Sequence, residues 1–395
     1  MKQCALTLIL PIASEENASW LEKELNSIGQ LLAKNPKIDF SKTSLTHFAR
    51  FVILPTAKPY SSTKRLLFTS NFDGDFDLYA KELIDTNVAP ALDAIFSRCD
   101  SYEAGTLLTN TKAVAFLNNR NINSQAFYVA LPGATQAIIS ESADLRLKMD
   151  QTLNAGTISD DDKVAVALLH DEYEKLRTTH LSTARPKPVK ATFGSFILGI
   201  ISNVLEWIAG IRYGENNPQI RVETSNHLYD MEDLVTQNQM TVIVPVKKSI
   251  LHRLFLRAIL WGISIQVKTA KGSLSDLATI HFARWVIIDN GNNILFESNF
   301  DGSWENYIDD FVDHASVGMN VIWGNCIGYP KGGSKDIESF KSYIRQNQIP
   351  AQIFYSAYKD STVRNILTDL SLSQKISSLS RPNGRPNLIM GYYGS

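Results

Sequence analysis

The chain has 395 residues, which is long enough for two or three average domains. Its 39 Lys and Arg residues balance 40 Asp and Glu residues, so no basic surplus points to a nucleic-acid partner. Three cysteines without a CxxC pair or a Cys/His cluster favour a reducing compartment over a disulfide framework, and no metal site is expected.

The N-terminal stretch MKQCALTLILPIASEEN has two interpretations. A basic start, a short apolar run and small residues at Ala13 and Ser14 are typical of a secretory signal peptide. However, LTLILPI has a counterpart in MTVIVPV, which lies in the middle of the chain, where no signal peptide can be. We therefore expect the first strand of a folded unit, retained in a mature protein that is cytoplasmic.

The chain contains an internal repeat. The first copy reads LTHFARFVILP and then RLLFTSNFDG, and the second reads TIHFARWVIID and then NILFESNFDG. His47 and His281 are 234 positions apart, Asp73 and Asp301 are 228 apart, and QAFYVA and QIFYSA are 227 apart. Motifs that recur in the same order at nearly constant spacing indicate a duplication.

Each copy predicts the same succession of elements. An apolar strand precedes a helix whose apolar residues share one face: Trp20, Leu21, Leu25, Ile28 and Leu32, or Leu254, Phe255, Ala258, Ile259 and Ile265 in the second copy. Two strands follow, joined in the second copy by the Asn-Gly turn of residues 289–293. A helix after Asp-Gly, a last strand (AFYVAL or IFYSAY) and a trailing helix complete a β-α-β-β-α-β unit.

This order predicts an α+β fold built from tandem ferredoxin-like repeats. A ferredoxin-like sheet carries helices on one face and must bury the other, so two copies in one chain can pack sheet against sheet. We expect an intrachain dimeric α+β barrel, and two separate ferredoxin-like domains on a tether are the alternative. The expected boundaries are 1–155 for repeat 1, 156–237 for a helical insertion, 238–380 for repeat 2 and 381–395 for a C-terminal tail.

The insertion has no counterpart in the repeat. A charged helix is predicted from Asp160 to Arg177, and the proline-containing run ARPKPVK breaks regular structure after it. The apolar stretch Phe193–Ile211 then has Glu206 as its sole charge. It has three interpretations: a helix buried against the barrel, a helix lying in a membrane interface, or a membrane-spanning helix.

A second apolar helix supports the membrane interpretation. The stretch Lys247–Lys268 is unusually apolar for a barrel helix and carries several basic residues. Its alternative interpretation is an ordinary core helix with a basic outer face. If the protein contacts a membrane, the expected contact residues are Phe196, Ile200, Trp207, Arg253 and Arg257.

Polar residues repeated in both copies are the candidates for catalysis. Pairing the two central strands of the second copy places His281 beside Asp301, and Arg284 near Ser298 and Asn299. An aspartate can fix the tautomer of a histidine and raise its basicity, as a general base or a metal-bound histidine requires. The counterparts in the first copy are His47, Asp73, Arg50 and Asn71.

The same residues also have a structural interpretation, which the duplication favours. In that interpretation a hydrogen-bonded network ties the hairpin to a helix, and Asp301 caps the helix that directly follows it. Strand alternation puts His281 on the same face as Ala283 and Trp285, with Arg284 on the other face.

Two resemblances follow from these motifs. The strings HFARW, SNFDGSWENYIDDF, and FYSAY followed by TVRNIL, resemble an uncharacterised bacterial family with duplicated HFAR and SNFDG motifs. Two ferredoxin-like halves in one chain are also similar in topology to dimeric α+β barrel proteins such as dye-decolourising haem peroxidases. The run from His281 to Arg284 resembles the His-x-x-Arg run that holds haem in those enzymes, which implies haem bound at His281.

Two functions from different classes are therefore expected. The first is a non-enzymatic or weakly catalytic α+β barrel protein that binds a hydrophobic small molecule or a membrane lipid, with a protein partner as a further option. The alternative is a haem-dependent peroxidase or oxygenase of the dimeric α+β barrel type. No nucleic-acid partner is expected.

Overall fold

The computed structural model describes residues 1–30, 37–56, 62–155, 167–175, 177–178, 232, 234–269 and 279–378. The strands are β1 (Gln3–Pro11), β2 (Thr46–Leu54), β3 (Arg65–Asp73), β4 (Ala126–Val129), β5 (Gln237–Pro245), β6 (Ile280–Ile288), β7 (Asn293–Asp301) and β8 (Ile353–Ser356). The longer α-helices are α1 (Glu15–Gln30), α2 (Phe76–Asp85), α3 (Ala89–Phe96), α4 (Asn110–Arg120), α5 (Gln136–Ala155), α6 (Ile250–Thr269), α7 (Trp304–Trp323), α8 (Ile337–Asn347) and α9 (Val363–Ser378). The expected α+β class is confirmed.

The strands form two four-stranded antiparallel sheets. The first sheet has the order β1-β3-β2-β8, and the second has the order β4-β6-β7-β5. β8 of the second copy pairs with β2 of the first copy, and β4 of the first copy pairs with β6 of the second. Each sheet therefore contains three strands of one copy and the last strand of the other copy.

This exchange differs from the arrangement of a self-contained ferredoxin-like unit, in which the last strand pairs with the first strand of its own unit. The segment before β4 keeps that neighbour, because the N–H of Ile122 donates to the carbonyl of Thr7 in β1 (2.9 Å). Ile349, before β8, donates in the same way to Thr241 in β5 (2.8 Å). Each segment then crosses to the opposite sheet, so the two copies are repeats in sequence without being separate bodies in space.

The two sheets pack face to face. Apolar side chains from both sheets meet between them, among them Val52 and Leu67 of the first sheet and Val286 and Leu295 of the second. Helices α1 to α4 cover the outer face of the first sheet, and helices α6 to α8 cover the outer face of the second. The central strands β2, β3, β6 and β7 therefore have both faces covered and are buried along almost their whole length.

The hairpin of the second copy has the expected turn. β6 ends at Ile288 and β7 begins at Asn293. Between them Asp289, Asn290 and Gly291 have φ values of 52°, 54° and 88°. Asn and Gly tolerate this left-handed backbone better than other residues, which explains why the Asn-Gly signal located the turn.

Several expectations fall wholly or partly outside the described residues. Leu32, expected on the buried face of the first helix, lies outside them, as do the stretch Phe193–Ile211 and residues 160–166 of the charged helix. Residues 167–175 are helical as expected, and Leu169 packs against Leu145 and Leu372 of the trailing helices α5 and α9.

Candidate functional site

The HFAR motif of each copy contains a β-bulge. In β6 the pairing register with β7 shifts just before Phe282, and β2 shifts at the matching place. The bulge leaves His281 without a directly opposed residue. The expected position of His281 on the face of Ala283 and Trp285 is wrong, because the bulge turns its ring toward Phe48 of the other sheet, at 5.4 Å between ring centroids.

Arg284 reaches across the gap between the two sheets. Its Nη1 donates to the carbonyl of Leu6 (2.6 Å) and to the hydroxyl of Thr7 (3.2 Å). Its Nη2 donates to the carbonyl of Ser70 (3.1 Å) and to the side-chain oxygen of Asn71. Ser70 and Asn71 begin the SNFDG motif of the first copy, so the HFAR arginine of one copy binds the SNFDG motif of the other.

Arg50 makes the corresponding contacts in the opposite direction. It donates to the carbonyl of Ser298 (3.0 Å) and to the side-chain oxygens of Thr241 (3.0 Å) and Asn299. The expected neighbour of Arg284 in its own hairpin, Asn299, is thus a partner of the other arginine. We call these two crossed pairs, Arg50 with Asn299 and Arg284 with Asn71, the double clasp.

One carboxylate lies between the two arginines of the double clasp. Glu297 Oε1 is 3.7 Å from Nη1 of Arg50, and Oε2 is 3.5 Å from Nε of Arg284. Burial lowers the pKa of both arginines, to about 10 for Arg284, while the Glu297 carboxylate acts in the opposite direction. Thr69, the counterpart of Glu297 in the first copy, donates to its carboxylate (3.2 Å). Two buried cations therefore share one buried anion.

Each histidine lies next to the aspartate of its own copy, as expected. Nε2 of His281 is 2.7 Å from Oδ1 of Asp301. Nε2 of His47 is 3.1 Å from Oδ2 of Asp73, although this second pair is not aligned for a hydrogen bond. All four side chains are buried.

The aspartates also cap helices. Asp301 accepts from the backbone N–H of Val363 at the start of α9 (2.8 Å), and Asp73 accepts from that of Gln136 at the start of α5 (2.7 Å). The expectation that Asp301 caps the helix directly after it is wrong, because Ser303 caps that helix, α7. The His–Asp pairs thus tie each hairpin to the helix that follows the last strand of its own copy.

Aromatic rings enclose the paired histidines. The ring of His281 lies 5.4 Å from Phe48 and 5.8 Å from Tyr358 between centroids. Burial raises the pKa of Tyr358 well above its ordinary value, and its hydroxyl lies at hydrogen-bonding distance from Nδ1 of His47 (2.9 Å). The cavities beside the histidines and beside the arginines each measure about 10 Å³, which is room for about one water molecule.

The residues around His281 do not fit the haem that the resemblance implies. Ligand pockets have volumes of roughly 300–1,000 Å³, far above the cavity lined by His281, Val129, Ile139 and Ile366. Nε2 of His281 also faces the carboxylate of Asp301 at hydrogen-bonding distance. The space beside His281 therefore does not accommodate a haem.

A roomier cavity lies at the seam where β5 of the second sheet approaches β8 of the first. Its volume is about 540 Å³, and Phe40, Tyr355, Gln237 and Asn238 are among its lining residues. Gln237 and Asn238 already donate to backbone carbonyls, so their amide donors do not single out a ligand. A hydrophobic small-molecule ligand stays a prediction, and this cavity is large enough to accommodate one.

Helix α6 buries one apolar face and exposes another. Leu256 and Leu260 are buried on the second sheet, whereas Ile250, Leu254 and Trp261 are 73%, 58% and 67% exposed. The expected buried face is wrong for Leu254, Ala258 and Ile265, which are exposed, because a helix that is apolar all round gives periodicity no face to select. We call the exposed apolar residues the α6 stripe, which consists of Ile250, Leu251, Leu254, Ala258, Trp261 and Ile265.

The matching helix of the first copy has no such stripe. The buried residues of α1 align with those of α6 at a spacing of 235 positions, as Leu21 with Leu256 and Leu25 with Leu260 show. At that spacing every residue of the α6 stripe aligns with a polar residue: Glu15, Glu16, Ser19, Lys23, Asn26 and Gln30. The two helices therefore share their buried face and differ on their outer face.

The charges of the two helices also differ. α1 carries four glutamates and one lysine, whereas residues 246–270, which include α6, contain no acidic residue. Among the basic residues of that region, Lys248 and Arg257 are exposed. Arg253 is half-buried and donates to the side chain of Asn292. Of the expected membrane contacts, Arg257 therefore lies on the outer side, and Phe196, Ile200 and Trp207 lie outside the described residues.

Within the part of the chain that the structure describes, one helix is long and apolar enough to cross a membrane. It is the 18-residue stretch Ile250–Val267 of α6. The criterion considers length and composition only. In the structure the helix packs one face on the second sheet.

Comparisons with protein-family models, with curated proteins and with solved structures found no match to this chain. The two resemblances drawn from the HFAR and SNFDG motifs therefore stay predictions.

Proposed function

We propose that the protein is a peripheral membrane-binding module whose α6 stripe lies in the interfacial region of a lipid bilayer. One observation carries the proposal: the outer face of this helix is polar in the first copy and apolar in the second. Immersing the stripe at the boundary of headgroups and acyl chains removes its large side chains from water. Trp261, toward the C-terminal end of the stripe, is of a residue type enriched at that boundary.

A second copy of the chain is a poorer partner for the α6 stripe. Two α6 helices packed face to face would bring Lys248 and Arg257 of both copies together, with no acidic residue at positions 246–270 to neutralise them. Like charges brought together across an interface are destabilising. A bilayer covers the stripe without this repulsion.

We propose a structural role, without catalysis, for the repeated polar residues. Support comes from their burial and from the number of hydrogen bonds that already occupy them. Arg284 alone donates to four groups of the opposite sheet. The carboxylate of Asp301 accepts from both His281 and the start of α9.

We also infer that the chain is a tandem duplication of a ferredoxin-like unit that forms an intrachain barrel with exchanged last strands. Support comes from the strand order β1-β3-β2, repeated as β5-β7-β6, and from the matching bridges at Ile122 and Ile349. Gln3 and Gln237, at corresponding positions, both bond to backbone groups beyond the last strand of their own copy. The bacterial family with duplicated HFAR and SNFDG motifs is the relative we propose.

Co-sedimentation of the full-length chain with lipid vesicles tests the membrane proposal. The double variant Leu254→Asp/Trp261→Asp places two carboxylates in the α6 stripe. We expect its binding to fall by roughly 100-fold, because each large apolar side chain contributes about 1.5–3 kcal/mol on burial. Circular dichroism and urea unfolding establish that the variant is folded.

The matched control is Ser19→Asp/Asn26→Asp, which changes the aligned positions of α1, 235 residues earlier. It should bind vesicles as the unmodified chain does. A folded α6 variant that binds unchanged contradicts the proposal. So does a chain that pellets with no vesicle and that the α6 variant converts from dimer to monomer in light scattering, since a second copy would then cover the stripe.

A further inference from the structure

We infer that the bilayer bound by the α6 stripe is an anionic one, recognised through Lys248 and Arg257. This inference rests on the proposed function and names its lipid class. Both cations are exposed, and both lie beside the stripe. Lys248 lies two residues before the start of α6, and Arg257 lies one helical turn from both Leu254 and Trp261.

Cations beside an apolar stripe can reach the phosphates of a bilayer in which the stripe lies. Lys and Arg side chains can lay their aliphatic stems along an apolar surface while the charged end reaches the headgroup layer. Trp261 and Leu254 would then lie deeper than the guanidinium of Arg257, as in helices that rest in the interface.

Two carboxylates on elements next to α6 are paired with other residues. The turn beside Arg257 contains Asp289, whose carboxylate lies 2.7 Å from Arg65. On the neighbouring helix α7, Asp309 lies 2.7 Å from Lys341. Among the described residues neither Lys248 nor Arg257 has a carboxylate partner, so their charge is available to an external anion.

The first copy provides an internal contrast. Its helix α1 carries Glu15 and Glu16 where α6 carries Ile250 and Leu251. An anionic surface would repel α1 and attract α6, because exposed charges interact with the surface potential at close range. Charge therefore selects which copy faces the bilayer, in addition to the apolar stripe that holds it there.

The experiment compares vesicles of phosphatidylcholine with vesicles in which part of this lipid is replaced by phosphatidylserine. We expect the full-length chain to bind the serine-containing vesicles more tightly and to lose this preference as salt rises. Lys248→Gln/Arg257→Gln should weaken binding to them by roughly 25-fold, since each cation near an anionic surface contributes about fivefold. Lys248→Arg/Arg257→Lys, which keeps both charges, should bind normally, as should Lys23→Gln on α1.

Each contrary outcome overturns a different part of the account. Equal binding to both vesicle compositions overturns the lipid class and leaves the membrane proposal standing. Binding to neither composition overturns both. A preference for phosphatidylserine that Lys248→Gln/Arg257→Gln leaves unchanged overturns the assignment to these two cations.

Discussion

Glu297 neutralises two arginines that come from different copies of the repeat. Arg50 and Arg284 are both buried. Among the described residues, the carboxylate that faces both is Glu297 of the second copy, and the first copy has Thr69 at the corresponding position. A buried charge that loses its partner is strongly destabilising, even where the intact pair contributes little net stability. We therefore expect the stability of the double clasp to require one carboxylate between the two arginines, at position 297 or at the facing position 69.

Exchanging these two residues tests the point. Glu297→Thr should lower the free energy of unfolding by about 3–5 kcal/mol, because it leaves two buried guanidiniums without an anion. The double variant Thr69→Glu/Glu297→Thr moves the carboxylate to the facing strand and should recover most of the loss. Urea unfolding measures both. A Glu297→Thr variant as stable as the unmodified chain would show that the carboxylate is dispensable.

The sequence located the residues of the double clasp but not their partners. Both copies carry the same HFAR and SNFDG motifs. The sequence therefore does not distinguish a bond from Arg284 to Asn299 of its own copy from a bond to Asn71 of the other copy. The role of Glu297 was missed, although its mismatch with Thr69 between otherwise similar strands was a visible signal. The bulge at His281 shifts the alternation by one residue, which strand periodicity does not reveal.

At the scale of single elements, α1 and α6 show how helices at matching places in the two repeats differ. α1 is amphipathic, so its apolar period identified Leu21, Leu25 and Ile28 as buried. Trp20, expected on the same face, is instead partly exposed beneath the guanidinium of Arg98 at 4.3 Å. The apolar period of α6 did not predict which of its faces is buried. Aligning α6 with α1 identifies the outer face, because the aligned residues of α1 are polar.

Two glycine positions show that α1 and α6 are packed differently against their neighbours. A Cβ at Gly29 of α1 would lie 2.1 Å from the carbonyl oxygen of Gln352, in the segment that enters the exchanged strand β8. A Cβ at Gly262 of α6 would meet no atom within 4 Å. We expect Gly29→Ala to destabilise the fold by at least about 1–3 kcal/mol through overpacking. Gly262→Ala should stabilise it by roughly 0.5–1 kcal/mol, because alanine is the better helix former.

Thermal or urea unfolding of the two glycine variants measures these opposite effects. Equal effects in both variants would contradict the close approach of α1 to the segment before β8.

At the scale of the whole molecule, the exchanged strands and the double clasp join both copies into one body. The sequence predicted the α+β class, because that class follows from local patterns. It did not predict the exchange, because β4 and β8 have similar sequences and either sheet offers them an equivalent edge. Residues of both copies form the interior, so substitutions there affect both copies. Substitutions on the outer face of a helix do not disturb the interior, and it is on this face that α1 and α6 differ.

The measurement that most directly tests the membrane account compares the depth of two matched positions. Single cysteines introduced by Trp261→Cys and Asn26→Cys carry a bimane fluorophore, and vesicles contain lipids with nitroxide quenchers on their acyl chains. Burial raises the pKa of the native thiols Cys4, Cys99 and Cys326, to about 12 for Cys99, so the introduced cysteines label first.

We predict that vesicles quench the fluorophore at position 261 and shift its emission to the blue, while the fluorophore at position 26 behaves as it does in buffer. Equal quenching at both positions, or none at position 261 when the protein is bound, would contradict a bilayer on the outer face of α6.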